Sequence, residues 1–253
     1  MLAVNPSVPF NKYASSAVDR ESSISLTAHA SAAAQTAAVA DRIARQLGSA
    51  LSQGRRGSLV VSGGRSPVPL LQRLSALPLD WSRVHITLAD ERWVAPDSEH
   101  SNEAQVRTHL LCDRAATAQF TGLKNDAPTP AAGAARSWLA CAGLPRPFDV
   151  VVLGLGEDGH FASLFPGSPG LAEALDPQRP AGCVAMTAPV PPLARISLNL
   201  AALLDARALL LPIAGDRKWQ VYRDAEQAGP VTALPLRALL RQRHAPLEVH
   251  HSP

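Results

Sequence analysis

The sequence predicts an α/β fold, a mostly parallel sheet covered by helices, and three observations predict it. Short, largely apolar runs, Ser58-Leu-Val-Val61, Val84-His-Ile-Thr-Leu88 and Val150-Val-Val-Leu153, read as strands buried on both faces. Stretches with helical spacing separate them, as the crossover connections of parallel strands require. Each run also ends in glycines or polar side chains, and the carboxyl ends of such strands are where ligands bind.

A chain of 253 residues with 46% hydrophobic content is able to bury one large core, and one domain is expected. Its net charge of +3 is too small for a general nucleic-acid surface but allows a local basic pocket for an acidic small molecule. The only lysines are Lys12, Lys124 and Lys218, all other cations being Arg, so a Lys at any given place runs against the habit of the chain. Cys112, Cys141 and Cys183 are odd in number and lack C-x-x-C spacing, which argues against a disulfide framework or a zinc knuckle and for a reducing compartment. Met1 to Ser25 carries no apolar leader, and no apolar run reaches membrane-spanning length. A soluble, cytoplasmic protein is expected.

In chain order, Thr27 to about Gln53 reads as one helix, with Val39, Ile43, Leu47 and Leu51 on a single stripe. The first buried strand, from Ser58 to Val61, follows Gly54-Arg-Arg-Gly57. Ser62-Gly63-Gly64-Arg65-Ser66-Pro67 then leads into a helix from Pro69 to Leu74, its start marked by proline in the first turn. The second strand, Val84–Leu88, ends in Asp90-Glu91-Arg92-Trp93. Successive strand residues face opposite ways, so Asp90 and Glu91 cannot share one cleft and one of them is structural. Ser101 or Asn102 caps a helix over Glu103–Leu111, capping being the preferred role for Ser101. Residues 123–130 read as a surface connection, and Ala131–Ala142 as a helix carrying Trp138 and Leu139 into the core. After the strand ending at Leu153, a further strand is expected over Ala181–Ala188, then Arg195 before an apolar segment, a helix over Leu200–Ala206, and a strand over Ala208–Ile213. Pro212 places the last near an edge or at its own end. A helix from Gly215 through Ala225, a short helix over Leu234–Arg243 and a final strand over Leu247–His250 complete the chain.

Chemistry gathers at the strand ends. Gly154-x-Gly156-x-x-Gly159 fits the dinucleotide pattern, but Phe161–Phe165 runs into Pro166, so the long helix and later acidic residue of that motif are missing and nicotinamide binding is disfavoured. Gly63 and Gly64 before a helix N-terminus form an anion seat, because free backbone N–H groups and the positive end of the helix dipole face the loop. Asp90 and Arg92 follow the second strand, Asp158 and His160 the third, and Gly215 with Lys218 the last. On one rim of a parallel sheet these groups meet in one crevice, which points to acid/base work on a phosphorylated metabolite. His250 and His251 lack metal-ligand spacing, and no other set suits zinc, so no metal is expected.

These residues resemble a known family. Ser62-Gly63-Gly64 with Pro67, Asp90-Glu91-Arg92-Trp93-Val94 with Ser101-Asn102, Gly154 to Gly167 containing Asp158-Gly-His160 and Ser163-Leu-Phe-Pro166, Arg195-Ile-Ser, and Gly215-x-x-Lys218 are similar to the 6-phosphogluconolactonases, in family order from about Thr27 onward. The resemblance implies a three-layer, Rossmann-like sheet of the sugar-phosphate deaminase and isomerase kind, no cofactor, and hydrolysis of 6-phospho-D-glucono-1,5-lactone to 6-phosphogluconate. It implies that His160 is the general base, oriented by Asp158 or Asp90. Arg92 stabilises an oxyanion or holds substrate oxygens. Gly63 and Gly64 seat the phosphate beneath Arg195 and Lys218, and Asn102 lies in the same site. Arg65 departs from the pattern, which has a small Ser or Thr there, and either touches phosphate or faces solvent. A single domain over 27–253, a flexible extension over 1–26 and a monomer are the remaining expectations. A related deaminase is the alternative, but it carries Tyr in place of Arg92 and Asn-Glu-Pro in place of Ser163-Leu-Phe-Pro166. A non-catalytic sugar-phosphate sensor is the third reading, opposed by the intact Asp158 and His160.

Overall fold

The structure is a computed structural model that describes residues 24–253, and it begins with a strand that spans the end of the expected extension and the start of the expected helix. Ile24–Ala28 (β1) runs along the sheet edge with every residue exposed, so it carries no burial pattern to betray it. Backbone pairing holds it instead, in parallel register from Ile24 against Leu247 to Ala28 against His251. The helix starts only at α1 (Ala32–Ser52), where the Ser31 hydroxyl accepts the Ala34 N–H at 3.2 Å. The expected extension over 1–26 is therefore cut short at Ile24, and its residues 1–23 lie outside the described residues.

The next elements are β2 (Gly57–Val61), α2 (Val68–Ser75), β3 (Val84–Leu88), β4 (Asp90–Arg92) and α3 (Asn102–His109). Then come β5 (Gln119–Thr121), α4 (Pro130–Ala140), β6 (Val150–Val152), α5 (Leu171–Ala174), β7 (Cys183–Thr187) and β8 (Ala194–Leu198). The chain closes with α6 (Leu200–Leu204), β9 (Leu209–Ala214), α7 (Asp216–Glu226), α8 (Leu236–Arg241) and β10 (Leu247–Ser252). Among the described residues, seven strands form one parallel sheet in the order β1-β10-β9-β6-β2-β3-β5. All five residues of β2 are buried, so both faces of the sheet are covered. Val39, Ile43 and Leu47 pack one side of α1 into the common core with Leu70, Leu71 and Leu74 of α2.

Four findings differ from the expectation. Asp90–Arg92 is itself a strand, and β4-β8-β7 make a separate antiparallel sheet in which Arg92 lies opposite Arg195. Its partners stand a hundred residues apart in sequence, beyond the reach of local periodicity. Gln119–Thr121 adds a three-residue strand to the edge of the main sheet. Leu139 points to solvent at 72% exposed, while Trp138 is half-buried under the Arg146 guanidinium, 4.0 Å from the ring centroid. Pro212 sits inside the sheet rather than at its edge. The Leu209 N–H is directed to Pro246 of the β10 side, so by alternation the missing N–H of Pro212 falls on the β6 side, where the ladder has ended with Leu153 N–H to Leu210 C=O at 2.9 Å.

The strands that end in chemistry, β9, β6, β2 and β3, are neighbours in that order. From β2 the chain moves outward to β3, and from β6 it moves the other way to β9. The crevice between the two diverging connections is where α/β sheets bind ligands.

Candidate active site

The two central strands are pinned together at the mouth of the crevice. Ser62 Oγ donates to the Val152 carbonyl at 3.1 Å and accepts the Gly154 N–H at 3.2 Å. Beyond it the backbone passes so close to α3 that a Cβ on Gly63 would lie 1.9 Å from Asn102 Oδ1, a distance no side chain tolerates. The Gly64 N–H is engaged by Gln105 Oε1 at 2.8 Å. Pro67, at the start of α2, supplies no side-chain cap, but the Val68 N–H turns back to the Arg65 carbonyl at 3.4 Å and Pro67 and Pro69 carry no N–H. Among the described residues, the donors without a partner here are therefore the loop N–H groups of Arg65 and Ser66. Across the crevice, the first turn of α7 brings Lys218 Nζ to 3.3 Å from Ser66 Oγ.

The loop after β6 folds back on itself. The Gly156 N–H binds the His160 carbonyl at 2.8 Å, and the Gly159 N–H binds the Gly156 carbonyl at 3.1 Å. A Cβ on Gly156 would stand 2.1 Å from His160 Nδ1, so only glycine lets the imidazole lie flat over this turn. Asp158 Oδ1 meets His160 Nδ1 at 2.5 Å and also accepts the His160 N–H at 3.1 Å. This contact assigns the Nδ1 proton and directs Nε2, which has no partner among the described residues, toward the crevice. Burial acts to raise the Asp158 carboxyl, but the hydrogen bond and charge of His160 outweigh it and hold it below the usual carboxylate range. The Phe165 ring packs on the imidazole at 4.3 Å between centroids.

Asp90 and Glu91 divide as strand alternation requires. Asp90, 6% exposed, turns to the crevice, where its Oδ2 accepts the Ser163 hydroxyl and Asn102 Nδ2 donates to its carbonyl at 2.9 Å. Ala162, at a φ of +49°, is held in a left-handed conformation that brings Ser163 to this contact. Glu91 turns away and receives the N–H groups of Arg92, Asn102 and Glu103, each at 2.7 Å, with the Ser101 hydroxyl at 3.0 Å. Burial pushes its carboxyl up against the pull of those donors. A cavity of about 220 Å³ results, bounded by Gly63, Gly64, Arg65, Asp90, His160 and Lys218.

The model of the family described as glucosamine-6-phosphate isomerases/6-phosphogluconolactonase matches residues 30–248. The chain belongs to this family. A 6-phosphogluconolactonase of Pseudomonas aeruginosa is 45% identical over 230 residues, covering 91% of this chain and 95% of that protein. One from Rhizobium meliloti is 42% identical over 85% of this chain and 93% of its own length. The crystal structure of a 6-phosphogluconolactonase from Shewanella baltica superposes with a TM-score of 0.87 at 45% identity, covering 91% of this chain and 98% of that one. A monomeric glucosamine-6-phosphate deaminase at 15% identity, with a TM-score of 0.73, shares the fold.

Within this family fold the expected site residues do not all converge. His160, Asp90, Gly63, Gly64 and Lys218 line the cavity, Asp158 joins them through His160, and Arg65 lies exposed at the rim. Of the two acids offered as partner to His160, Asp158 makes the contact. Asn102 lies behind the glycine loop rather than in the cavity. Arg195, expected over the phosphate with Lys218, stands on the antiparallel sheet instead, its Nε on the Pro192 carbonyl at 2.9 Å and its guanidinium 5.7 Å over Phe165. Arg92 binds the His100 carbonyl at 2.7 Å and leaves a buried Nε without a partner. Burial and the neighbouring Arg92 lower the Arg195 guanidinium pKa, against the opposing pull of the Asp90 and Glu91 carboxylates. Sequence reading did not single out Gln105, one turn beyond Asn102, because a Gln on a helix surface carries no local signal; Ser163 and Phe165 are present in the quoted motif without separate roles.

Proposed function

We propose that this protein hydrolyses 6-phospho-D-glucono-1,5-lactone to 6-phosphogluconate, the second step of the oxidative pentose phosphate pathway, as a cytoplasmic monomer without a cofactor. The observation that carries the reading is the Asp158-oriented His160, whose free Nε2 faces a cavity closed at its other end by the glycine loop and Lys218. The name shared by the relatives at 45% identity supports the same reaction.

In this mechanism neutral His160 takes a proton from water as the water oxygen bonds to the lactone carbonyl carbon. Asp158 holds the ring and balances the imidazolium. The tetrahedral oxyanion then collapses, the bond to the ring oxygen breaks, and that oxygen takes the proton back from Nε2. The new carboxylic acid releases its proton to solvent. The substrate phosphate lies on the loop N–H groups of Arg65 and Ser66 with Lys218, and the Arg65 side chain reaches it from the rim. Because Gln105 already holds the Gly64 N–H, its role is to shape the loop. Asp90, fixed by Ser163 and Asn102, accepts a substrate hydroxyl. Arg92 and Arg195 serve developing negative charge from the Phe165 side.

The test is acid release at neutral pH from freshly generated 6-phosphogluconolactone, with unphosphorylated gluconolactone alongside. Acceleration confined to the phosphorylated lactone is expected, with His160→Asn abolishing it while 6-phosphogluconate still binds. Turnover by a folded His160→Asn variant equal to wild type defeats the assignment of the base, and no acceleration by the wild type defeats the reaction.

A further inference from the structure

Behind the glycine loop lies a second cavity, of about 80 Å³, that the reaction does not use. Its walls are mainly apolar: Val39 of α1, Val61 of β2, Leu70 and Leu71 of α2, and Val152 and Leu153 at the end of β6. It shares Ser62, Ser66, Pro67, Gly154 and Lys218 with the catalytic cavity, so the two adjoin along one wall. The Lys218 to Ser66 contact of 3.3 Å stands at that boundary.

Two polar side chains in the wall are already paired within the protein. Ser62 Oγ is satisfied by Val152 and Gly154, and Gln35 Nε2 donates to the carbonyls of Ile213 at 2.8 Å and His250 at 2.7 Å. Away from the Lys218 and Ser66 boundary, only the Thr36 hydroxyl and the Gln35 side-chain oxygen are left to a water, which needs two to four partners. A hydrocarbon group gains instead by leaving solvent. A cation at the mouth with an apolar interior fits an anion that carries a short alkyl tail. The volume corresponds to about three water-sized groups.

We propose that this cavity is an alkyl subsite, and that short-chain alkyl phosphate monoesters bind with the phosphate on the Arg65 and Ser66 N–H groups and Lys218 and the tail between Val39, Leu70 and Leu71. Such compounds inhibit by excluding the substrate phosphate. The inference rests on the phosphate seat given above, and the experiment separates the two.

Inhibition of lactone hydrolysis is measured with inorganic phosphate and with methyl, ethyl, propyl and hexyl phosphate. Each methylene up to propyl is expected to strengthen inhibition about fourfold, with no further gain by hexyl. Val39→Phe fills the cavity from its wall and is expected to flatten the series while kcat and inhibition by inorganic phosphate stay as in wild type. Thr36→Ile, at the same wall, makes the same test if Val39→Phe does not fold. A flat series in the wild type, with inorganic phosphate inhibiting, overturns the alkyl subsite and leaves the phosphate seat standing. A chain-length gain that survives the filled cavity overturns it too, since the tail then lies elsewhere. Failure of inorganic phosphate and every ester to inhibit overturns the phosphate seat and the subsite together.

Discussion

Asp158 reaches His160 from two positions away on a turn that only glycine at 156 permits, and one carboxylate oxygen holds both the ring, at 2.5 Å, and the backbone N–H, at 3.1 Å. Asp158→Asn keeps the shape but gives up the charge that balances the imidazolium. We expect kcat to fall by about 10²-fold, within the range for general acid–base groups, with KM little changed, as steady-state kinetics will show. The same substitution changes acid stability in a defined direction. Because the folded carboxyl lies below its ordinary value, its contribution is fully present above about pH 3.9 and is lost as the pH falls through the lower folded value. Denaturant melts on the acid side of about pH 4 will therefore show a shallower pH dependence in Asp158→Asn than in wild type.

At the scale of elements, α3 positions the crevice wall through its first turn. Asn102 holds Asp90 and backs Gly63, and Gln105 holds Gly64. Two devices fix that turn, the Ser101 cap on Ala104 at 3.2 Å and the Glu91 carboxylate on the backbone N–H groups of Asn102 and Glu103. Ser101→Ala removes the weaker one. It should cost about 1 kcal/mol, lower Tm by about 2–4 °C in a thermal melt and leave kcat intact, because Glu91 still holds the helix. Glu91→Ala strands several buried donors, so both stability and kcat should fall. The second sheet explains why Arg92 and Arg195 stand side by side: β4 and β8 are antiparallel partners, so residues far apart in sequence become opposite numbers.

Across the whole molecule, burial rather than residue type decides what a substitution costs. Leu211 lies fully buried in β9 near the centre of the sheet, and Leu211→Ala should cost about 2–5 kcal/mol by the transfer and cavity terms. Leu139→Gln, at a position 72% exposed on α4, should stay within about 0.5 kcal/mol of wild type by the same denaturant measurement.

The sequence by itself determined the parallel sheet and the placing of Asp158, His160 and the glycine loop at the carboxyl ends of its strands. These features are written locally, in continuous apolar runs, in glycines that turn the backbone, and in groups that sit at strand ends whatever the partner strand is. Tertiary structure alone decided the rest. β1 is exposed along its length and held by backbone pairing with β10, so no side-chain pattern marks it. Between Asp158 and Asp90 as partner of His160, only the fold chose. The separation of Arg195 from Lys218 likewise needed the antiparallel sheet, whose strands meet through hydrogen bonds that no local spacing records.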